Sequence, residues 1–429
     1  MKALLSIAAR SAWNRRLTLS LVALCIALAT GLLLTLERLR ADVRTSFSQA
    51  VSGTDLIVGP RTGPVQLMLH AVFHLGAAGN GIRMDSVRAL SQHRAVAWTL
   101  PLSLGDSHHG RPVLGTTPEY FTRFQYGDRQ PLRFAQGRAF AGTLDGLYEA
   151  VLGAEVAEAL GYRPGQAITL SHGGGDEVHA AGEADHDDKP FTIVGVLAPT
   201  GTPVDRTVHV SLQALQAIHL EWQGGAPLPG VRIAPEQARK FDLQPQQVSA
   251  VLVGLKVRAA AFAVQRWVAD YEGEPLMAVL PGLALDELWQ VLGAAERALQ
   301  AMSALVAVVS LASLVAVVLA GLNERRRELA VLRAVGAGPR HVLGLLTIEA
   351  ALVTLIGSLL GAATSVGALA LAAPWLQTRW GIALQSAWLP SAGQALLWAA
   401  VVLAGMLAGL IPGLRAYRLS LADGLSPRS

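Results

Sequence analysis

Long stretches without a charged residue constrain this chain more than any other feature. Leu17 to Leu36 is twenty residues free of Asp, Glu, Lys and Arg. At 1.5 Å rise per residue, a helix of that length spans the roughly 30 Å hydrocarbon core of a bilayer. Lys2, Arg10, Arg15 and Arg16 precede the stretch, and Glu37-Arg38-Leu39-Arg40 follows it. A cleaved secretory signal has a shorter apolar run ending in a small-x-small site, so an uncleaved signal anchor is the better reading. Ala298 to Leu322 is the next such stretch. A third begins after His341 and runs to Ala373 with Glu349 as its single charge, and a fourth, Ala392 to Ile411, lies within Gly381 to Leu414. Only 15% of the 429 residues are charged, against about 25% in soluble domains, and the deficit sits in these blocks.

The fold class predicted is a membrane protein of four transmembrane α-helices, one followed by three, with a large mixed α/β extracytoplasmic domain inserted between helices 1 and 2. Lys and Arg in short flanks set orientation. The N-terminal tail has four basic residues, the connection between spans two and three has Arg325, Arg326, Arg327, Arg333 and Arg340, and the C-terminal tail has Arg415, Arg418 and Arg428. The link between spans three and four has only Arg379. Both termini are therefore expected on the cytoplasmic side. The expected order is a tail 1–16, span 17–36, outer domain 37–297, span 298–322, cytoplasmic connection 323–341, span 342–373, external link 374–391, span 392–411 and tail 412–429.

The outer segment holds 22 of the 35 basic residues and 27 of the 31 acidic ones, a formal charge of −5. The basic pI belongs to membrane flanks, which removes the support for a nucleic-acid partner. The single cysteine, Cys25, lies in the first span, so a disulfide framework or a Cys-based metal site in the outer domain is excluded.

About 260 residues can bury one or two cores. Leu36, Leu39, Val43, Phe47 and Ala50 continue the first span as one helical face, and Leu285, Leu288, Leu292, Ala295 and Leu299 form a similar face before span two. Two such helices can pair as a stalk. Between them, 150–153, 167–170, 191–197, 207–210 and 248–257 read as strands. Segments 154–160, 212–218 and 259–271 read as helices, with Gly161 closing the first and Ser211 capping the second.

Catalytic signatures are missing. The four lysines are followed by Ala3, Pro190, Phe241 and Val257, so no Gly-Lys-Ser/Thr phosphate loop exists and the chain cannot itself be a P-loop ATPase. Neither G-x-S-x-G nor H-E-x-x-H occurs. The reading is non-enzymatic.

The most informative segment is Asn323-Glu324-Arg325-Arg326-Arg327-Glu328-Leu329-Ala330-Val331-Leu332-Arg333-Ala334-Val335-Gly336-Ala337. A positive-inside loop needs only its arginines, not the order E-R-x-x-E-L-A-x-x-R-A-x-G-A. That order resembles the coupling helix of MacB/FtsX-type ABC transporter permeases. Val151-Leu152-Gly153-Ala154-Glu155-Val156-Ala157 with Pro164-Gly165, Phe191-Thr192-Ile193-Val194-Gly195-Val196 with Asp205, Ile348-Glu349-Ala350, and Pro412 with Ala416 also resemble family patterns.

The resemblance implies a permease subunit in a bacterial inner membrane, a homodimer embedded in the lipid bilayer. It binds a separate ABC ATPase subunit that carries ATP and Mg, while the chain itself carries no cofactor. ATPase coupling falls on Glu324, Arg325, Glu328, Leu329, Arg333, Ala334 and Gly336, and ATP-driven motion reaches the outer domains by mechanotransmission, for export or release of a substrate. A periplasmic binding protein or lipoprotein would then be a further partner. The alternative is an FtsX-like scaffold that activates a periplasmic cell-wall enzyme and transports nothing. Glu349 is either part of the motion relay, as intramembrane carboxylates often are, or a residue near the interface that snorkels or caps structure. Gly357 and Gly361, four apart, could let helices approach closely.

Ser171 to Pro190 is rich in His, Asp, Glu and Gly. His172, His179, His186 and Asp187 are candidate ligands for zinc, bound as cargo or as a regulatory ion. The other reading is a solvated hairpin whose polar residues reflect exposure alone. His70/His74 and His108-His109 are further imidazoles in the same domain.

Overall fold

The computed structural model describes residues 16–50, 52–76, 81–172, 186, 188–223, 226–227, 233–324, 338–380 and 391–418. Among these residues, four helices are long and apolar enough to cross a membrane: α1 (Arg16–Ala50), α7 (Pro281–Glu324), α8 (Pro339–Trp380) and α9 (Ala392–Arg418). The sheet domain lies in sequence between the first two. The chain divides into a helical unit and an α/β unit, with the boundary after Val43 in α1 and after Val291 in α7.

Eleven strands form the sheet of the α/β unit. In chain order they are β1 (Leu56–Pro60), β2 (Val96–His108), β3 (Arg111–Thr116), β4 (Phe134–Gly137), β5 (Glu149–Leu152), β6 (Ala167–Ile168), β7 (Ser171–His172), β8 (Phe191–Leu197), β9 (Val208–Ser211), β10 (Ala250–Leu255) and β11 (Leu276–Val279). The order across the sheet is β11-β1-β10-β2-β3-β9-β5-β8-β4, with β7 added to β2 and β6 to β8. Pairs β3/β9 and β5/β8 are parallel and the rest antiparallel.

Central strands β1 and β10 are buried almost throughout. Covered on both faces, they read as continuous apolar runs rather than alternating ones. A two-residue turn, His109-Gly110, joins β2 to β3, and both residues have positive φ, 48° and 70°. A type I′ hairpin requires this at both central positions.

Five helices pack on the sheet: α2 (Pro64–Phe73), α3 (Met84–Ser91), α4 (Ala154–Leu160), α5 (Leu212–Ile218) and α6 (Ala261–Ala269). Gly161 ends α4 at φ 69°, and the Ser211 hydroxyl accepts the Ala214 N–H at 3.1 Å to cap α5. The strands and helices expected between 150 and 271 are present, with ends moved by at most two residues. One core joins Leu100, Leu102 and Leu252 to Tyr120, Phe121, Phe124 and Phe140, and Phe47, Leu285, Leu288 and Trp289 belong to it. The second core lies under α4 and α5, and the third under α3 and α6.

The paired-stalk expectation needs one correction. Phe47 meets Trp289 edge to face at 5.8 Å and stacks on Phe73 at 4.3 Å, and in the helical unit Arg40 forms an ion pair with Glu296. Leu292 and Leu299, expected on the packed face, are about half exposed. The face of α7 that meets α1 passes through Trp289, whose indole fills the space beside Phe47.

In the helical unit, Val22 and Ile26 of α1, Leu314 and Val318 of α7, and Val342, Leu346, Ala350 and Val353 of α8 form one cluster. Leu17, Leu21, Leu24, Leu28 and Leu32 are exposed along the other side of α1, at the three- and four-residue spacing of a face turned to lipid. Gly357 and Gly361 bring α8 onto the α1 backbone. A Cβ on Gly361 would lie 2.6 Å from the Ala27 carbonyl oxygen, and one on Gly357 would lie 2.8 Å from that of Ala23.

Candidate metal centre

Antiparallel register brings the first two residues of the site together. His172 on β7 lies directly opposite Asp106 on β2, a separation at which side chains on one face meet. The His172 Nδ1 is 3.0 Å from Asp106 Oδ1. The third residue, His219, follows the last turn of α5. Its Nδ1 lies 2.8 Å from the Leu215 carbonyl oxygen, to which it must donate, and its Nε2 lies 3.3 Å from Asp106 Oδ1 and 3.2 Å from His172 Nδ1. His186 completes the group. One ligand atom from each of Asp106, His172, His186 and His219 lies within 4.8 Å of the others.

The surroundings hold these groups in place. The His186 N–H donates to the Leu170 carbonyl at 2.9 Å, and the Lys189 N–H to the His186 carbonyl at 3.1 Å. The fully buried Lys189 ammonium donates to Asp188 at 2.9 Å and pairs with Glu221. Glu221 also accepts the Ile233 N–H at 2.7 Å. Trp222 lies against three imidazoles, with ring centroids 4.7 Å from His172, 5.2 Å from His186 and 5.5 Å from His219.

Charge follows from the geometry. Burial works to raise the Asp106 carboxyl, but the hydrogen bond from His172 and the adjoining His219 ring outweigh it and hold the group at about 2. The same bond raises His172 above the ordinary imidazole value, against partial burial. Burial first, and the neighbouring His219 second, push His186 down to about 4. At neutral pH the corner therefore presents a carboxylate and at least one neutral imidazole, the protonation states a metal ion requires.

Two of the four expected ligands, His172 and His186, take part. The other two, His179 and Asp187, lie outside the described residues. Asp106 and His219 were missed because a cross-strand register and a helix end converge on them, and neither shows as spacing. The one sequence signal is a polar His219-Leu-Glu-Trp222 run closing the apolar helix α5. His70 and His74 are engaged separately, His70 with the Gly76 carbonyl and His74 with the Thr207 hydroxyl, each at 3.0 Å. His108 donates to the Thr169 carbonyl at 2.7 Å.

Of the expected coupling residues, Glu324 is the last residue of α7, while Arg325, Glu328, Leu329, Arg333, Ala334 and Gly336 lie outside the described residues. Glu349 is buried in α8, next to Ala350 of the helical cluster.

Comparison with known proteins gives the chain its family. Residues 17–270 match the MacB-like periplasmic core domain, and residues 301–421 match the FtsX-like permease C-terminal domain. Among solved structures, the periplasmic region of MacB from Actinobacillus actinomycetemcomitans is similar at 11% identity and TM-score 0.34, covering 56% of this chain and 97% of that one. The extracellular domain of the noncanonic ABC-type transporter YknZ from Gram-positive bacteria is similar at 14% identity and TM-score 0.29, covering 47% and 89%. No curated protein matches the sequence. The two family matches fall in order along the chain and take in the sheet domain and the helices that follow it, so the chain belongs to the MacB/FtsX-type ABC transporter permeases.

Proposed function

We propose that this permease subunit works by mechanotransmission: ATP hydrolysis in a partner ATPase, docked on the segment from Glu324 to Ala337, is converted into motion of the periplasmic core domains of a dimer in the bacterial inner membrane. The observation that supports this most is the unbroken course of α1 and α7. At 35 and 44 residues, and 1.5 Å per residue, both exceed the roughly 30 Å hydrocarbon core. Each carries an apolar span at one end and contributes to the sheet-domain core at the other, through Phe47, Leu285 and Trp289. An unbroken helical ladder passes displacement along its axis, whereas a flexible linker absorbs it.

Glu349 is assigned to the relay, since a buried carboxylate in α8 beside the α1–α7–α8 cluster senses any shift among those helices. The expected link to zinc, as cargo or as a regulatory ion, is assigned to the periplasmic core domain. The test is co-expression with the cognate ATPase and measurement of ATP hydrolysis in lipid nanodiscs. Wild-type permease is expected to co-purify with the ATPase and change its rate, and Leu329→Asp is expected to abolish both effects. An ATPase that neither binds the permease nor responds to it contradicts the proposal.

A further inference from the structure

Three of the four clustered atoms form a nearly equilateral triangle. Asp106 Oδ1, His172 Nδ1 and His219 Nε2 are separated by 3.0, 3.2 and 3.3 Å. A tetrahedral ion with ligands at 2.0–2.1 Å has edges of about 3.3 Å between them. The hydrogen-bond count points the same way. His219 Nδ1 donates to the Leu215 carbonyl, which in the neutral ring leaves Nε2 a bare lone pair facing a carboxylate oxygen. One proton on His172 Nδ1 must then serve both acceptors. The buried His186 Nε2 has no hydrogen-bond partner among the described residues.

We propose that Asp106, His172, His186 and His219 bind a divalent transition-metal ion of the zinc class in the periplasmic core domain. Three imidazoles and one carboxylate suit such an ion, whereas calcium takes six to eight oxygens and magnesium an octahedral oxygen shell. The Leu215 carbonyl fixes the His219 tautomer, as the outer shell of metal sites commonly does. The His172 side chain is 38% exposed, so the ion reaches the site from solvent. Its ligands come from β2, β7, the segment before β8 and the end of α5, so the bound ion cross-links four separate stretches of chain.

The inference is independent of ATPase coupling, because a permease that couples would do so with or without a metal. The test uses full-length protein in nanodiscs, stripped with chelator and titrated calorimetrically with zinc chloride, with calcium and magnesium chloride as controls. One zinc per chain is expected at micromolar affinity or tighter, with no binding of the controls, and cobalt(II) is expected to give the intense visible spectrum of a tetrahedral site. Asp106→Asn and His219→Ala are expected to weaken zinc binding by more than the roughly 10- to 100-fold typical of an outer-shell loss, while His109→Ala keeps it. If His219→Ala fails to fold, the nearly isosteric Asp106→Asn decides. No saturable zinc binding, or binding unchanged in Asp106→Asn, overturns the proposal and leaves the ATPase measurements untouched.

Discussion

The buried ammonium of Lys189 pairs with Glu221 and thereby ties two stretches of chain, one carrying His186 and the other Trp222 and His219. Removing one partner of a buried pair leaves an uncompensated charge, at a cost of about 3–5 kcal/mol. Lys189→Met is therefore expected to lower the thermal midpoint sharply, and Lys189→Met combined with Glu221→Leu to recover most of the loss. Thermal unfolding followed by tryptophan emission checks this. Equal destabilisation by the single and double variants would show that the pair itself contributes nothing specific.

The fully buried His209 and the half-buried His74 make the periplasmic core domain sensitive to acid. Burial pushes His74 down to about 3 and His209 to about 4, with His209 and His70 adding to the effect at His74. Both are neutral in the folded state, while the unfolded chain takes up protons below about 6.5. Stability is thus fully present above that pH and is lost as pH falls towards 4, by up to about 1.4 kcal/mol per pH unit for each histidine. His209→Gln is expected to flatten the slope between pH 6.5 and 4, measured as unfolding midpoint against pH. A slope identical to wild type would assign the acid sensitivity elsewhere.

Helix packing in the membrane depends on two glycines. Gly361→Leu places a side chain against the Ala27 carbonyl, and Gly357→Leu places one against that of Ala23. Neither backbone can retreat, so both variants are expected to lose folded yield in size-exclusion chromatography. Gly367→Leu, six residues further along α8 with open space around it, is expected to behave as wild type. Similar loss in all three would mean that glycine content, not the α1–α8 approach, is what matters.

Much of the fold was legible because its signals are local. Uncharged twenty-residue runs mark the spans, Gly161 and Ser211 mark helix ends, and the β-branched run Phe191 to Leu197 marks a strand. The 13-residue strand β2 was not read, since Pro101, Gly105 and its polar end interrupt the pattern. Half of the candidate metal cluster was legible in the same way. His172 and His186 stand in a His- and Asp-rich stretch, whereas Asp106 and His219 lie 66 and 47 residues from His172 and reach it only through register and packing. Of the expected stalk faces, Phe47, Leu285 and Leu288 do pack, but the indole of Trp289 joins them while Leu292 and Leu299 stay half exposed, because hydrophobic spacing does not reveal which of two adjacent helical faces a large ring will fill.

Mechanotransmission requires ATP to drive movement of the periplasmic core domains. Cys25 is the only cysteine, so Cys25→Ser gives a background in which Arg266→Cys, at a highly exposed position on α6, carries a single spin label per protomer. Electron–electron distance measurement in nanodiscs with the ATPase bound then reports the separation between protomers. The distance distribution is expected to shift on adding ATP under conditions that trap it, and to stay unshifted when Leu329→Asp is present. A distribution unchanged by nucleotide, in a complex shown to hydrolyse ATP, would contradict it.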